Sequence, residues 1–189
     1  STGDQSTPIA VSDISTAIAV SAGERHTCAL LSGGTIKCWG YGSYGQLGYS
    51  SSGISSQTTP VSVSGISTAV SVSTGYNHTC ALLSNGTIMC WGFGDNGQLG
   101  IGSSSNKTTP VSVSGISTAT SVSAGGYHTC ALLSGGTVKC WGRGSSGQLG
   151  YSSSGISDQY TPVSVSGVST ATAVSLGAYH TCAVLSGGS

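Results

Sequence analysis

Seven cysteines and four histidines are the residues of this chain whose chemistry could bind a metal or support a redox reaction. In the stretch HTCALLSGGTIKCWGYGSYGQLG, residues 26–48, His26 and Cys28 lie two positions apart and Cys38 follows ten positions later. Thiolate and imidazole are preferred Zn²⁺ ligands, whereas the two cysteines alone could form a disulfide or stay reduced in a core. The metal alternative is disfavoured, because the chain has no C-x-x-C pair and each such group offers only three ligands.

The same stretch holds Gly40, Gly42 and Gly45 in the spacing G-x-G-x-x-G, which occurs in loops that bind dinucleotides. That function needs a helix directly after the glycines, so that the helix N-terminus meets the pyrophosphate. Here Gln-Leu-Gly and then Tyr-Ser-Ser-Ser-Gly follow, which will not form a helix, and the pattern returns twice more along the chain. The glycines therefore predict a turn, and no cofactor is expected.

The whole chain is built from copies of this stretch. His-Thr-Cys occurs four times at offsets of 52, 50 and 52, and residues 26–55 and 128–157 differ at three of thirty positions. Each copy has short runs in which Val or Ile alternates with Ser or Thr, which predicts about four short strands in about fifty residues. We treat the chain as one repeat region, residues 1–189, with repeats 7–58, 59–108, 109–160 and an incomplete 161–189.

Three motifs define the repeat: G-x-x-H-T-C-A-L, then G-T-[IV]-x-C-W-G, then G-Q-L-G. In the second copy they fall at Gly75, His78, Leu82, Gly86, Trp91, Gly92 and residues 97–100. They closely resemble the repeat of the regulator of chromosome condensation family, here in a secreted, disulfide-containing variant. The resemblance implies an all-β fold, a β-propeller with blades of about four antiparallel strands, seven of them in the well-known members.

The motif count corresponds to roughly three and a half blades, which is too few for such a ring. An open arc exposes unpaired strand edges that ring closure normally removes. Three arrangements fit this count. The chain is part of a longer protein, which is the arrangement we favour, or several chains complete a ring or stack into a fibre, or the short arc is itself the native monomer.

The cysteine spacing predicts staples across hairpins. Each pair is centred on Gly33, Asn85 or Gly135, the middle residue of a three-residue loop whose last glycine can adopt the left-handed conformation. Opposed residues at non-hydrogen-bonded sites lie about 4.5 Å apart, within reach of a disulfide. Cys182 would find its partner at position 192, so it is unpaired within this chain. The predicted disulfides are Cys28–Cys38, Cys80–Cys90 and Cys130–Cys140.

Composition limits the partners and the compartment. Only 5% of the residues are charged and the formal net charge is zero, so no basic patch exists for nucleic acid or anionic lipid. No apolar run reaches the roughly 18 residues of a membrane helix, and no membrane insertion is expected. Disulfides persist in oxidising compartments, and the surface is rich in Ser and Thr, so we expect a secreted or cell-surface protein.

Catalytic constellations are hard to build from this sequence. Its five acidic residues cannot supply a repeated Ser-His-Asp triad or carboxylate pairs, so an enzyme is not expected. The histidines are expected to form hydrogen bonds on blade strands. The three tryptophans are expected to pack between blades, with exposed sugar platforms as the alternative. Asn77, Asn85 and Asn106 begin glycosylation sequons, and the last two lie in the more accessible loops.

The function favoured by these observations is that of a non-enzymatic extracellular structural or interaction protein, serving as scaffold, fibre or adhesion module. Its partners would be other protein chains, either copies of itself or the rest of a longer chain. One alternative is a protein-binding regulator, an enzyme inhibitor or an exchange-factor-like propeller, as in other members of the family. Tyr41, Phe93 and Arg143 are then the candidate contact residues. Another alternative is a carbohydrate-binding adhesin.

Overall fold

Fourteen strands make up the regular structure of the protein. The computed structural model describes residues 6–50, 55–151 and 156–188, and in these ranges it contains no helix. The strands of the first two sheets are β1 Ala17–Ala22, β2 His26–Leu31, β3 Ile36–Gly40, β4 Gln57–Ser62, β5 Ala69–Thr74, β6 His78–Leu83, β7 Ile88–Gly92 and β8 Lys107–Ser112. The remaining strands are β9 Ala119–Ala124, β10 His128–Leu133, β11 Val138–Gly142, β12 Gln159–Ser164, β13 Ala171–Leu176 and β14 Thr181–Leu185.

Consecutive strands form antiparallel meanders. The sheets β1-β2-β3-β4, β5-β6-β7-β8 and β9-β10-β11-β12 each have four strands, and β13-β14 is a two-stranded sheet. We call these four units blades 1 to 4. The prediction of an all-β fold with four-stranded blades, roughly three and a half of them, is confirmed.

The sequence repeats and the blades are out of phase by one strand. The Thr-Pro segment that opens the sequence repeat 59–108 lies in β4, which pairs with β3 of blade 1. The same shift recurs at β8 and β12, which pair with β7 and β11. Each four-stranded sheet therefore takes its last strand from the start of the following sequence repeat, and the repeat bounds chosen from the sequence do not coincide with sheet bounds.

The hydrophobic core lies between neighbouring blades. The first strands of successive blades contact each other, β1 with β5, β5 with β9 and β9 with β13. One buried cluster joins Leu47, Val63 and Ile66 from the blade 1 side to Ala81 and Trp91 of blade 2. Because a sheet buries its apolar side chains only against another layer, each blade depends on its neighbour for stability.

The β2–β3 hairpin shows how local sequence sets the register. The N–H of Leu31 donates to the carbonyl of Thr35 at 2.9 Å, which leaves Ser32, Gly33 and Gly34 as a three-residue loop. Gly34 has a φ of 76°, in the left-handed region that such a loop requires at its last position. The loop therefore fixes which residues face each other along the two strands.

Candidate interaction face

The cysteine pairs sit at facing positions of the hairpins. Cys28 and Cys38 are cross-strand partners, and their Cα atoms lie 4.1 Å apart with the sulfur atoms bonded. The pairs Cys80–Cys90 and Cys130–Cys140 have the same geometry, and Cys182 on β14 is exposed and free. Among the described residues no three His, Cys, Asp or Glu side chains converge as metal ligands would. Each of the three pairs joins the two strands of one hairpin.

Three histidines connect each blade to the next. The Nε2 of His26 on β2 lies 2.8 Å from Oγ1 of Thr79 on β6, and this hydroxyl donates to the backbone carbonyl of Gln46 at 2.9 Å. Since the hydroxyl proton is used for the carbonyl, the histidine donates through Nε2–H. His78 and His128 repeat this chain at the following interfaces, with Thr129 and Gln98 and with Thr181 and Gln148.

Burial keeps these histidines neutral. It lowers the pKa of His26 and His128 to about 4 and that of His78 to about 3, because an imidazolium loses its hydration between the blades. The charges that His26 and His128 would carry lower the pKa of His78 further. At neutral pH the three side chains are therefore hydrogen-bond donors that join blades.

Two tryptophans complete the same interfaces. The indole Nε1 of Trp91 donates to the carbonyl of Gln46 at 2.9 Å, so this carbonyl accepts from both Trp91 and Thr79. Trp141 makes the same bond to Gln98, and both indoles are fully buried, as the interpretation as blade-packing residues requires. Trp39 occupies the equivalent position of blade 1 and is half-buried.

The glycine pattern forms a series of tight turns. The N–H of Gly45 donates to the carbonyl of Gly42 at 2.8 Å, and the N–H of Gly48 donates to that of Gly45 at 2.9 Å. A Cβ on Gly48 would lie 2.6 Å from the indole Nε1 of Trp91, so the glycine makes room for the tryptophan. The pattern thus positions the Gln46 carbonyl at the blade interface.

One end of the blades carries the residues in which the repeats differ most in chemical character. The register pairs His26 with Gly40, so the β1–β2 loop and the loop after β3 lie side by side, and the N–H of Tyr41 donates to the carbonyl of Arg25 at 2.8 Å. At these two loops the otherwise similar repeats carry different residues. In chain order they are Glu24, Arg25, Tyr41, Tyr44, Tyr76, Asn77, Phe93, Asn96, Gly126, Tyr127, Arg143, Ser146, Ala178 and Tyr179.

Aromatic rings from neighbouring blades touch at this end. Across the boundary between blades 1 and 2, the ring centroids of Tyr44 and Phe93 lie 4.9 Å apart. Tyr41 stands edge-on to Tyr44 at 5.9 Å, and the Arg25 guanidinium lies 5.9 Å from the Tyr41 ring. Such contacts hold the rings in defined orientations while part of each remains accessible.

A second group continues across blades 2, 3 and 4. The ring of Tyr127 lies 5.3 Å from Tyr76 and 6.3 Å from Tyr179, and the Arg143 guanidinium lies 5.8 Å and 5.6 Å from Tyr127 and Tyr179. Desolvation and then the neighbouring Tyr179 raise the pKa of the Tyr127 hydroxyl. A cavity of about 300 Å³ opens beside this group, lined by Glu24, Tyr76, Leu176 and otherwise small residues.

We define the aromatic face as Arg25, Tyr41, Tyr44, Tyr76, Phe93, Tyr127, Arg143 and Tyr179. Sequence reasoning identified Tyr41, Phe93 and Arg143 and missed the other five. The available signal was the difference between repeats, since the two residues before His-Thr-Cys form a different pair in each copy. Only the β2–β3 register showed that the two variable loops form one surface.

The three sequon asparagines differ in accessibility. Asn85 is exposed at a hairpin tip, where its Oδ1 accepts from Thr87. Asn106 is exposed, and its Oδ1 accepts from the N–H of Gly94 at 2.8 Å. Asn77 is half-buried beside the aromatic face. Glycosylation of these residues remains a prediction. Among the described residues no helix has the length and apolar character needed to cross a membrane.

Comparison with known proteins agrees with the architecture. The profile of the regulator of chromosome condensation (RCC1) repeat matches residues 34–82, 85–132 and 135–184, and a second profile of this repeat matches residues 17–46, 69–98 and 119–148. The chain is 41% identical over 87 residues to the ultraviolet-B receptor UVR8 of Arabidopsis thaliana, a match that covers 45% of this chain and 19% of the receptor.

Two solved structures have a similar fold. Prp20p of Saccharomyces cerevisiae, described with its binding to Gsp1p and histones, superposes with a TM-score of 0.79 at 22% identity over 90% of this chain and 44% of its own. The ectodomain of the receptor kinase CR4 of Physcomitrella patens superposes with a TM-score of 0.56 at 27% identity over 90% of this chain and 37% of its own. The chain thus spans less than half the length of each of these proteins.

Proposed function

Because the chain belongs to the regulator of chromosome condensation (RCC1) repeat family, we propose that it is a non-enzymatic protein-interaction module that binds other protein chains through its aromatic face. The observation that carries the proposal is the chemistry of that face. Aromatic residues and arginine are the side chains most enriched where protein interfaces concentrate their binding energy. Here they gather on one surface of a chain that has only 5% charged residues.

The geometry of the face suits protein recognition. Tyr44 and Tyr179 are 36% and 48% exposed, although each packs on another ring. Rings that are already oriented lose little conformational freedom on binding, so their burial contributes more to affinity. Prp20p, a propeller of similar fold, is described as binding proteins, which supports the same class of partner for this chain.

We further propose that the module works outside the cell, as a scaffold or adhesion element. Three hairpins stapled by cysteines suit an oxidising compartment. The structural likeness to the CR4 ectodomain is consistent with this location. Identical contacts between successive blades would also suit assembly into a larger repeat structure, since a head-to-tail contact need not close.

The test is capture of partners by the intact protein from extracellular medium of its source, with cross-linking and mass spectrometry. The double variant Tyr44→Ser/Tyr179→Ser should lower capture of a specific partner by about tenfold or more, as expected for central aromatic contacts. Val184→Ser is the matched control. Val184 is 51% exposed and lies near the end of β14 that is far from the aromatic face. Equal capture by all three proteins would exclude the aromatic face as the binding site.

A protein-binding regulator and a fibre-forming protein predict different behaviour. Monodisperse protein whose capture of one partner depends on the aromatic face favours a regulator such as an enzyme inhibitor. Filaments seen by electron microscopy that survive the Tyr44→Ser/Tyr179→Ser change favour the structural function.

A further inference from the structure

The cavity of about 300 Å³ beside Tyr76 is lined by residues of all four blades, at the place where their first strands end. We call it the strand-end groove. It is lined by the last residues of β1, β5, β9 and β13, which are Ala22, Thr74, Ala124 and Leu176. It is also lined by the second residue of each loop that follows, which is Glu24, Tyr76, Gly126 or Ala178. In every blade a glycine lies between these two positions.

These glycines keep the groove open. A Cβ on Gly75 would lie 2.3 Å from the carbonyl oxygen of Gly125, and a Cβ on Gly125 would lie 2.6 Å from that of Gly177. Gly23 approaches the carbonyl oxygen of Gly75 in the same way, at 2.3 Å from its added Cβ. Any side chain at these positions would meet the backbone of the next blade. The wall of the groove is therefore bare backbone there.

The loop residues make the two ends of the groove chemically different. Blades 1 and 2 contribute the Glu24 carboxylate and the Tyr76 ring, whereas blades 3 and 4 contribute Gly126 and Ala178. Gly126 also makes room for the tyrosine, since a Cβ there would lie 3.2 Å from Cε2 of Tyr76. Together with Leu176, these small residues form an apolar channel that leads to a carboxylate and an aromatic ring.

Glu24 carries the only charge among the residues that line the groove. Its Oε1 lies 3.7 Å from Nε of Arg25, and both side chains are largely exposed, so this ion pair holds the carboxylate only weakly. Desolvation is the main cause that raises the pKa of the Tyr127 hydroxyl, and the charges of Tyr179 and Glu24 raise it further. The negative charge of Glu24 thus acts on the rings beside the groove, and a bound cation would compensate it.

We propose that the strand-end groove receives a lysine side chain of the partner protein. The aliphatic stem of the lysine packs along Gly126 and Leu176, as such stems do on apolar surfaces. Its ammonium binds the Glu24 carboxylate beside the ring of Tyr76, which attracts a cation through its quadrupole. This inference rests on the proposed function, because Tyr76 belongs to the aromatic face.

Lysine fits the groove better than arginine does. A guanidinium binds a carboxylate best as a planar fork that uses both oxygens. Arg25 already faces Oε1 of Glu24, whereas an ammonium needs only one oxygen and can direct its other N–H groups elsewhere. A negatively charged side chain would be repelled by Glu24, and a neutral apolar one would gain nothing from the carboxylate.

The probe is Nα-acetyl-lysine methylamide, titrated into the intact protein and followed by amide NMR spectra of isotope-labelled protein. The amide signals of Gly75, Gly125 and Gly126, which line the groove, should shift saturably. Acetylation of the probe's Nε, or norleucine in place of its lysine, removes the charge. Either change should weaken binding by about tenfold, as loss of a charge-assisted hydrogen bond implies. The arginine analogue should bind more weakly than the lysine probe.

Two protein variants separate the charge of the groove from its shape. Glu24→Gln should weaken binding of the lysine probe by about tenfold and reduce its dependence on ionic strength. Asp95→Asn is the matched control, because Asp95 is another exposed carboxylate and does not line the groove. Ala178→Leu narrows the apolar part of the groove and should also weaken binding.

The proposal is overturned if the lysine probe gives no saturable shift, or if the norleucine probe binds as well. It is also overturned if the arginine analogue binds more tightly, or if Glu24→Gln binds like wild type. Partner capture is measured alongside to keep the two proposals apart. Capture that depends on Tyr44 and Tyr179 but not on Glu24 overturns the lysine inference and keeps the proposed function. Capture that depends on none of the three overturns the proposed function itself.

Discussion

At the scale of single residues, one backbone carbonyl accepts two hydrogen bonds at the interface between blades 1 and 2, and another does so between blades 2 and 3. The carbonyl of Gln46 accepts from Thr79 and Trp91, and Thr79 in turn accepts from His26. The Gln46 carbonyl, the Thr79 hydroxyl, the Trp91 N–H and the Nε2 of His26 each have a partner, as burial of polar groups requires, whereas the Nδ1 of His26 is buried without one. The histidines therefore contribute to stability as neutral donors.

Acid should weaken the protein through these histidines. Their pKa values are lowered from 6.5 to about 4 or 3 in the folded state, so between these values the unfolded chain binds more protons. The free energy of unfolding has its full value above pH 6.5. It decreases as pH falls towards 4, by up to about 1.4 kcal/mol per pH unit for each histidine. Urea denaturation across this range measures the slope.

The variant His78→Gln tests the assignment. It removes one titrating group and keeps an amide donor, so the pH slope of the free energy of unfolding should fall by about a third of the histidine contribution. An unchanged slope in His78→Gln would show that this histidine is not held neutral.

The disulfide staples can be tested in the same way. Replacement of Cys80 and Cys90 by alanine should lower the free energy of unfolding by about 2.5–3 kcal/mol, the chain-entropy value for a loop of about eleven residues. Cys182→Ser is the matched control and should stay within about 0.5 kcal/mol of wild type, because its side chain is exposed. Free thiols at Cys80 and Cys90 in non-reduced peptide maps of native protein would contradict the pairing.

At the scale of the element, the hairpin loop decides which side chains meet. The three-residue loop Ser-Gly-Gly sets Leu30 opposite Ile36 and Cys28 opposite Cys38. A slip of one residue would move every side chain of the strand to the other face of the sheet. The loop thus places the cysteines and, at the far end of the strands, brings Arg25 next to Tyr41.

The two loop glycines should differ sharply in their tolerance of alanine. Gly34 has a φ of 76°, and a Cβ there would lie 2.7 Å from the Ser67 carbonyl oxygen, so Gly34→Ala should cost about 1–3 kcal/mol. Gly33 has open space around its added Cβ, and Gly33→Ala should be neutral within about 0.5 kcal/mol. Thermal or urea unfolding of the pair measures this, and equal effects would disprove the loop geometry.

At the scale of the whole molecule, stability depends on contacts between blades. Each apolar cluster draws residues from two neighbouring blades, as with Leu47 of blade 1 and Trp91 of blade 2. In repeat architectures of this kind, stability is a sum of units and nearest-neighbour interfaces. Residues between two blades should therefore contribute more to the free energy of unfolding than their equivalents on the first blade.

Substitution of tryptophan by phenylalanine measures this difference. Trp91→Phe loses the bond to the Gln46 carbonyl and part of a fully buried side chain, so the free energy of unfolding should fall by about 1–3 kcal/mol. Trp39→Phe changes the equivalent, half-buried residue of blade 1 and should cost less than half as much. Equal losses in urea denaturation would mean that the blade interface does not use the indole.

The repeated motifs alone predicted most of the local structure. Strand alternation, the Ser-Gly-Gly loops and the spacing of Cys28 and Cys38 are short-range features, so the register followed from counting residues. The prediction that tryptophans pack between blades also held for Trp91 and Trp141. The place of β4 in the sheet of blade 1 does not follow from the repeats, because β4 pairs with a strand of the preceding repeat and nothing local marks that pairing.

Family and blade architecture were thus determined by the sequence itself, since each motif specifies its own turn or strand. Only the tertiary structure decided which loops share a face and which groups meet across blades. His26 and Thr79 are 53 positions apart, and Tyr44 contacts Phe93 of the next repeat. Such contacts arise from the packing of one sheet on another, a long-range arrangement that the spacing within a repeat does not encode.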